Sequence, residues 1–464
     1  MDLERLFYPR SVAVVGASQK PIVGKLPYYQ ILKALGYEGR IYPVNPKYKE
    51  IDGVKVYPSL DAVPGEIDFA IISIPVQQSL DVMQAVARKN VKYVHFFTSG
   101  FGEEGDVALE QNILREARKG GTRIVGPNCI GIHSPESGIS FGFLKQEGLP
   151  RDVAFLGQSG GMTSNFARLS LARQIGLNKL VSCGNQIDLR MEDYLAYFAT
   201  DDSIKLVAGY IEDIKDPGMF LDTLKKVTKT KPVVIMKGGM TQQGAHAATS
   251  HTGALASNHA IWSSAMRQCG AILVNTFDQL IDTAMAGVGG TPLKGPNIAF
   301  LGAGGGVSVS FTDCAILAGL TVPTLHRDTQ ETIRQQIGSV NTSTENPVDL
   351  GAFGFDFSVM AHTIEAIDRD DGIDVIMPYF SVDYITRLNP SQIKDGPYAI
   401  VKVVGRTKKP IMAVVSRFSE DDVETERLRI TIHSIFREAG IPVFSTISRA
   451  IDAVARYLTW AVTY

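Results

Sequence analysis

Three segments of the chain each run a short apolar stretch into a turn rich in glycine and serine. They are SVAVVGAS at Ser11–Ser18, DVAFLGQSGGM at Asp152–Met162 and NIAFLGAGGGV at Asn297–Val307. A helix-like segment follows each turn. Apolar runs that are continuous rather than alternating are typical of parallel strands buried on both faces. Each segment is therefore predicted to be the first strand–helix unit of its own doubly wound sheet.

Further apolar runs follow each unit and alternate with helix-like stretches. In chain order they read RIYPV, FAIISIP, YVHFFTSG and RIVGPN, then KLVSCGN, LVAGYIED, VVIMKGG and AILVNT, then IDVIMPYF, IMAVVS and IPVFST. Two helices are predicted at Ser79–Arg88 and Val107–Lys119, and AIDAVARYLTWAVTY is predicted to form a closing amphipathic helix. The alternation predicts an α/β protein built from three doubly wound domains in series.

Two short polar or glycine- and proline-rich segments separate the three groups of strands. They are SPESG at Ser134–Gly138 and GTPLKGP at Gly290–Pro296. The predicted domains are therefore 1–136, 137–292 and 293–464. Three domains also agree with the length of 464 residues, given about 150 residues per domain.

Charge and cysteine content narrow the class of protein. The chain has 46 basic and 48 acidic side chains, so no overall field attracts nucleic acid or an anionic membrane. The N-terminus lacks the apolar core of a signal peptide, and no segment approaches the ~18 apolar residues of a membrane span. Four scattered cysteines, without a CxxC pair, fit a reducing cytoplasm and argue against a zinc site. We expect a soluble, cytoplasmic protein with no nucleic-acid or membrane partner.

The first turn, GASQKPIVGK, is a candidate phosphate-binding loop. It lacks the G-x-G-x-x-G spacing, since the next glycine after Gly16 is Gly24, and it lacks the P-loop hydroxyl, since Leu26 follows Lys25. The backbone N–H groups at Gly16, Ala17 and Ser18, with the following helix, can still bind a phosphate.

The second strand runs into PVNPKYKE, which places Asn45 and Lys47 where NAD-binding domains usually have an acid. A lysine there favours an additional phosphate on the ribose, as in NADP or coenzyme A. The alternative is a solvated surface lysine, because lysine is mostly exposed in any protein.

Small polar groups follow the later strands of the first domain. They lie in Ser73-Ile74-Pro75, Thr98-Ser99-Gly100 and Gly126-Pro127-Asn128. Ligands of open parallel sheets bind beyond the carboxyl ends of the strands, where we expect these residues to cluster. Cys129 comes next and is expected to be a structural thiol, because no cation adjoins it to stabilise a thiolate.

The stretch GAHAATSHTGALASNHA at Gly244–Ala260 holds three histidines and no charged residue. Metal binding is disfavoured, because His246 and His251 are five residues apart and no Asp, Glu or Cys lies nearby. Packing with a hydrogen bond is the favoured interpretation for His246 and His259.

His251 differs from the other two in its neighbours, Ser250 and Thr252-Gly253. The hydroxyls and backbone N–H groups of this stretch can donate to an anion. A neutral imidazole is a competent nucleophile near neutral pH. No carboxylate in the stretch repels an incoming phosphoryl group. A phosphorylated histidine is therefore a physically reasonable hypothesis at this position.

SHTGALA, LGQSGGM, GPNCIG and the NPVDLG of Asn346–Gly351 together resemble the nucleoside-diphosphate-forming acyl-CoA synthetases. The resemblance is to the α subunits of ADP-forming acetyl-CoA synthetases, relatives of succinyl-CoA synthetase, and it spans all three domains. It implies a CoA-binding Rossmann-like domain followed by two flavodoxin-like domains, the last being the ligase-CoA domain. It also implies the reaction acyl-CoA + phosphate + ADP = carboxylic acid + CoA + ATP, through an acyl phosphate and a phosphohistidine.

The resemblance assigns roles to individual residues. His251 matches the phosphorylated histidine, and Glu212 matches the carboxylate that accepts a hydrogen bond from its ring, with Asp213 as the rival. The helix start that holds the phosphoryl group matches Ser159, Gly160 and Gly161. The predicted CoA-binding residues are Gly16, Ala17, Ser18, Asn45, Lys47, Ser73, Pro75, Thr98, Ser99, Gly100, Asn128 and Cys129.

The printed sequence ends with the third domain, and nothing in it resembles the ATP-grasp region of single-chain members. The resemblance therefore implies that ADP or ATP, with Mg²⁺, binds on a separate ATP-grasp β subunit, in an assembly of two α and two β chains. Two alternatives stay open: an NADP-dependent oxidoreductase, suggested by the first domain and Lys47, and a non-catalytic CoA-binding regulator in which His251 is only structural.

Overall fold

The computed structural model describes residues 3–20, 24, 26–246, 259–388, 391–418 and 422–463. The chain divides into two compact units, Met1–Asn275 and Thr276–Tyr464. The first unit holds two parallel-stranded sheets and the second unit holds one. Among the described residues, no helix has the length and apolar content needed to cross a membrane.

The first sheet has five parallel strands in the order β2-β1-β5-β6-β7, next to a small β3–β4 hairpin. The strands are β1 (Ser11–Val15), β2 (Arg40–Val44), β3 (Glu50–Ile51), β4 (Val54–Lys55), β5 (Phe69–Ile72), β6 (Tyr93–Phe96) and β7 (Arg123–Val125). The helices are α1 (Glu4–Phe7), α2 (Tyr28–Ala34), α3 (Ser79–Arg88) and α4 (Val107–Lys119). Every residue of β1, β5 and β6 is buried, as continuous apolar runs require.

The second sheet has the order β13-β12-β11-β9-β10-β8, and only β8 is antiparallel to its neighbour. Its strands are β8 (Ile132–His133), β9 (Val153–Gly157), β10 (Leu177–Ser182), β11 (Leu206–Ile211), β12 (Val233–Lys237) and β13 (Ile272–Val274). Its helices are α5 (Gly160–Ala172), α6 (Met191–Thr200), α7 (Pro217–Val227) and α8 (His259–Gln268).

The second unit contains the third sheet, in the order β15-β14-β16-β17-β18 and parallel throughout. Its strands are β14 (Ile298–Gly302), β15 (Val348–Asp349), β16 (Val375–Phe380), β17 (Ala413–Val415) and β18 (Val443–Phe444). Its helices are α9 (Phe277–Val288), α10 (Gly305–Leu317), α11 (Arg327–Arg334), α12 (Phe357–Asp368), α13 (Val382–Leu388), α14 (Gln392–Val404), α15 (Val423–Glu438) and α16 (Ile447–Ala461).

The three sheets reverse their winding direction next to β1, β9 and β14. β2, β10 and β15 lie on one side of these strands, and β5, β11 and β16 lie on the other side. Such a reversal opens a crevice at the carboxyl ends of the two central strands, which is where ligands bind in this class of fold. The predicted class, three doubly wound α/β sheets, is confirmed; the predicted domain bounds stay predictions.

Candidate functional site

Two cavities open at the carboxyl edge of the first sheet. One, the α5 cavity, has a volume of about 480 Å³ and also reaches the start of α5. The other, the β1–β2 cavity, has a volume of about 590 Å³ and lies over the ends of β1 and β2. Ile74 and Pro75 line both cavities. Together they form a continuous lining from the winding reversal of the first sheet to the first turn of α5.

The α5 cavity brings together residues that the sequence places far apart. The residues of the lining that the sequence analysis named as candidate site residues are Ser73, Pro75, Thr98, Ser99, Asn128, Cys129, Ser159, Gly160 and Gly161. None of the described residues in its lining carries a charge. Hydroxyls, amides and backbone N–H groups are therefore the polar groups that it offers to an anion.

The β1–β2 cavity contains Gly16, Ser18, Asn45 and Lys47. Asn45 Nδ2 donates to the Ala17 carbonyl over 2.7 Å, and Asn45 Oδ1 accepts from the Lys47 N–H over 3.0 Å. These two hydrogen bonds fix the loop after β2 against the loop after β1. Lys47 is exposed. Its ammonium group forms no ion pair with an acid among the residues that the structure describes.

Two predicted CoA-binding residues lie outside both linings. Ala17 is 4% exposed, so its side chain does not face either cavity. Its carbonyl accepts the hydrogen bond from Asn45. Gly100 donates its N–H to Glu103 Oε1 over 2.7 Å. Both residues therefore shape the loops that border the cavities.

The first turn of α5 is built around Ser159 and Gly157. Ser159 caps the helix, its Oγ accepting from the Met162 N–H over 3.4 Å. A Cβ at Gly157 would lie 2.1 Å from Thr163 Oγ1, so the absent side chain lets α5 approach the end of β9. The first N–H groups of a helix have no partner within the helix, and here Gly160 and Gly161 line the cavity.

The thiol of Cys129 is buried at the edge of the α5 cavity. Its pKa is raised to about 12 because burial disfavours the thiolate. Beside it, His95 Nε2 lies 2.9 Å from the Cys129 carbonyl oxygen, and burial lowers the pKa of that imidazole to about 4. At neutral pH both groups are uncharged, so neither is an activated nucleophile or a proton donor. These contacts agree with the structural role expected for this thiol.

Glu212 follows β11 and is 6% exposed. Its Oε2 is buried and accepts no hydrogen bond from the described part of the chain. A buried carboxylate oxygen without a donor is costly, by roughly 1–3 kcal/mol or more. This atom is therefore the strongest local indication that a further N–H group approaches the site.

Asp213 occupies a different environment one residue later. Its carboxylate lies 3.1 Å from Lys215 Nζ, and its side chain is 21% exposed. The Glu212 side chain interacts with the Tyr210 hydroxyl, but its Oε2 has no donor among the described residues and so has more to gain from an imidazole N–H. The geometry favours Glu212 over Asp213 for such a contact.

Gln158 joins Glu212 to the α5 cavity. It lines the cavity, is 4% exposed, and its Oε1 accepts from the backbone N–H groups of Glu212 and Asp213 over 2.9 and 2.8 Å. The neighbouring strands β9 and β11 make this possible, since Tyr210 pairs with Gly157 in the sheet register. Gln158 was not among the predicted site residues, although it lies inside the LGQSGGM motif.

Asn185 is a second lining residue that was not predicted. Its Nδ2 donates to Glu103 Oε2 and Glu110 Oε1 over 2.5 and 2.7 Å, and its Oδ1 lies 3.4 Å from Asn128 Nδ2. Two carboxylates thus hold the amide in one orientation beside Asn128. A residue a few positions past a strand carries no local sequence signal of this role.

Of the three clustered histidines, His251 lies outside the described residues. His246 is exposed, and its structural role stays a prediction. His259 begins α8, and its Nε2 lies 3.3 Å from Ser263 Oγ, which agrees with a hydrogen-bonded structural residue.

The second unit has its own cavity, of about 580 Å³, at the carboxyl ends of β14, β15 and β16. The glycine turn before α10 lines it, but the Gly304 N–H already donates to Asp349 Oδ1 over 2.9 Å. Asp349 belongs to the NPVDLG motif, whose Asn346 donates to the carbonyls of Ile298 and Pro323 over 2.9 Å each. The motif therefore builds the junction between β14 and α10.

One cluster in the described chain has the spacing of metal ligands: His326, Asp370 and Asp371. The Asp370 carboxylate already accepts from the N–H groups of His326 and Gly372, over 2.8 and 3.1 Å. These hydrogen bonds show that Asp370 stabilises a turn of the backbone. The expectation of no metal on this chain stays a prediction.

Comparisons with known proteins match both sheets of the first unit. A family model described as a CoA binding domain matches residues 10–135. A second, described as a succinyl-CoA ligase like flavodoxin domain, matches residues 150–286. The two matches coincide with the two sheets that enclose the α5 cavity.

Whole-chain relatives agree with these models. The chain is 34% identical over 420 residues to the α subunit of ADP-forming acetate–CoA ligase II of Pyrococcus furiosus, with 89% of each chain covered. It is 32% identical to the α subunit of ligase I of the same organism, with 99% of this chain and 98% of the relative covered.

A solved structure extends the likeness to three dimensions. It is the dinucleotide forming acetyl-coenzyme A synthetase 1 of Ca. Korarchaeum cryptofilum, in complex with phosphate and ADP. The match has a TM-score of 0.86 at 28% identity and covers 99% of this chain and 97% of that one. The chain therefore belongs to the family of ADP-forming acetate–CoA ligase α subunits, as its motifs implied.

Proposed function

We propose that this chain is the α subunit of an ADP-forming acyl-CoA ligase that acts on acetyl-CoA or a related short acyl-CoA in the cytoplasm. It converts acyl-CoA, phosphate and ADP into carboxylic acid, CoA and ATP. The observation that carries the proposal is the continuous lining of the two cavities. It links a loop suited to a phosphorylated nucleotide, at Gly16 and Lys47, to the phosphate-binding start of α5.

CoA fits this lining in one orientation. Its phosphorylated nucleotide end lies in the β1–β2 cavity, where Lys47 supplies a cation and the loop after β1 supplies backbone N–H groups. Its thiol end lies in the α5 cavity near Asn128 and Cys129. The thioester carbon then lies in the same cavity as the first turn of α5, which holds the attacking phosphate.

In the first chemical step, a phosphate oxygen attacks the thioester carbonyl and the C–S bond breaks. CoA leaves as a thiolate and takes up the proton carried by phosphate, which leaves an acyl phosphate. The uncharged donors of Ser159, Gly160 and Gly161 stabilise charge on the phosphoryl oxygens in a site of low dielectric constant. The residues of the cavity bind and orient, and the proton moves between the reactants.

In the second step, His251 Nε2 attacks the phosphorus and the acid leaves as a carboxylate. The ring keeps its proton on Nδ1 and becomes positively charged. The buried Oε2 of Glu212 accepts that N–H, which fixes the tautomer and stabilises the charge on the ring. Dividing one transfer into several in-line displacements is the advantage of covalent catalysis.

In the last step, the phosphohistidine passes its phosphoryl group to ADP and the neutral imidazole is restored. We propose that ADP and Mg²⁺ bind on a separate ATP-grasp β subunit, in an assembly of two α and two β chains. Support comes from the two Pyrococcus furiosus relatives, which are named as α subunits.

Turnover with the partner subunit tests this function. The chain, co-purified with its β subunit, should release CoA thiol from acetyl-CoA in a manner that requires both phosphate and ADP, and should form ATP in equal amount. Omission of either substrate should stop turnover, because each step consumes the product of the one before.

Two results would contradict the proposal. Binding of CoA without any exchange of phosphate would assign the chain to the regulator class. Reduction of a substrate with NADPH would instead support the oxidoreductase alternative.

A further inference from the structure

The first sheet has another cavity on the edge opposite the α5 and β1–β2 cavities. It lies at the amino ends of the strands, and its volume of about 690 Å³ is typical of small-ligand pockets. Five cationic side chains line it: Arg5, Arg10, Arg40, Lys92 and Arg123. Only two acids, Glu66 and Asp68, share the lining. We call it the basal cavity.

The cations of the basal cavity are positioned by the sheet itself. Arg10, Arg40, Lys92 and Arg123 lie at or just before the starts of β1, β2, β6 and β7, four of the five strands of the first sheet. The Arg40 N–H donates to the Arg10 carbonyl, and the Arg123 N–H donates to the Lys92 carbonyl, over 2.9 Å each. Because the sheet holds their backbones in register, their charged groups surround the cavity without a rearrangement of the fold.

Most of these charges have no counter-ion within the described part of the chain. Arg123 forms an ion pair with Asp188 over 2.8 Å. In the described ranges, no ion pair involves the side chains of Arg5, Arg10, Arg40 or Lys92. The Asp68 carboxylate accepts the Arg10 backbone N–H over 2.8 Å, and this orients the carboxylate towards the main chain. The lining of the basal cavity therefore carries an excess of positive charge.

We propose that the basal cavity binds a small molecule that carries several phosphate groups. Guanidinium groups match phosphate oxygens in a bidentate geometry. One phosphate cannot contact cations distributed over four strands, whereas a chain of phosphates can. This site is separate from the proposed CoA site, because the two edges of the sheet share no lining residue.

Calorimetric titration of the full chain with inorganic tripolyphosphate, without Mg²⁺, tests the proposal. The double variant Arg40→Gln/Lys92→Gln should bind at least about tenfold more weakly than wild type, since two charge-assisted contacts are lost. Both side chains are exposed, and a thermal melt checks that the variant folds. Binding to wild type should also weaken as salt increases.

Two controls distinguish binding in the basal cavity from a general effect of charge and from binding in the β1–β2 cavity. Lys229→Gln/Lys402→Gln removes the same charge at exposed positions elsewhere and should leave the affinity within about twofold. Lys47→Gln changes only the β1–β2 cavity, so it should leave the affinity of the basal cavity for tripolyphosphate unchanged. The proposal is overturned if wild type does not bind tripolyphosphate or if both double variants lose affinity equally. It is also overturned if Lys47→Gln alone abolishes binding.

Discussion

Glu212→Gln is expected to slow the formation of phosphohistidine by about 10⁴-fold, on the scale seen when the carboxylate of a His–Asp pair becomes an amide. The physical reason is the environment of Oε2, which is buried and has no donor among the described residues. A glutamine can present its NH₂ group to the ring and stabilise the wrong tautomer, and it carries no charge to balance the imidazolium. The measurement is a single-turnover time course of label transfer from phosphate in the presence of acetyl-CoA.

Asp213→Asn is the matched control. Asp213 is adjacent in sequence, but its carboxylate faces Lys215 at 3.1 Å, so its loss should change the rate by less than about threefold. Should Asp213→Asn be the slow variant while Glu212→Gln keeps wild-type rates, the assignment of the orienting carboxylate would reverse.

Gly16→Ala is expected to destabilise the chain by about 3 kcal/mol and to weaken CoA binding at least about tenfold. Gly16 has φ +91°, and a Cβ there would lie 2.2 Å from the Ser73 carbonyl oxygen. Neither backbone segment can move easily, because both are held by hydrogen bonds. The Gly16 N–H donates to the Val44 carbonyl and the Ser73 N–H donates to the Val15 carbonyl, over 2.9 Å each. Urea unfolding and a CoA titration measure the two effects.

Gly53→Ala separates backbone conformation from the clash. Gly53 has φ +77°, but no atom lies within 4 Å of its added Cβ. It should cost only about 1 kcal/mol, the penalty for the left-handed conformation, and should leave CoA affinity unchanged. Equal losses in the two variants would show that the close approach to Ser73 does not matter.

Much of the fold was predictable because its signals are local. The predicted bounds of Arg40–Val44, Ser79–Arg88 and Val107–Lys119 equal those observed. Strand β10 was predicted to begin at Lys179 but begins at Leu177. Asn178 is polar but only 6% exposed, and its Nδ2 donates to the Arg151 carbonyl over 2.6 Å, so a buried polar residue hid the start of the strand. The antiparallel β8 is two residues long and has no periodicity to detect.

The site was predictable where it consists of loops at the ends of strands. Ser73, Thr98 and Asn128 were identified from their positions after apolar runs and Ser159 from the family resemblance, and the structure gathers them around one cavity. The contact from Gln158 to the Glu212 backbone depends on which strands are neighbours. The winding of the sheet sets the order of the strands. The sequence alone does not reveal which strands become neighbours.

The central claim is that His251 carries the phosphoryl group, and direct labelling tests it. The chain, purified with the proposed β subunit and kept free of nucleotide, is incubated with acetyl-CoA and radioactive phosphate. We expect an acid-labile, alkali-stable label on the chain that disappears in His251→Ala and persists in His246→Ala and His259→Ala. Label retained in His251→Ala, or lost in either neighbouring variant instead, would contradict the account.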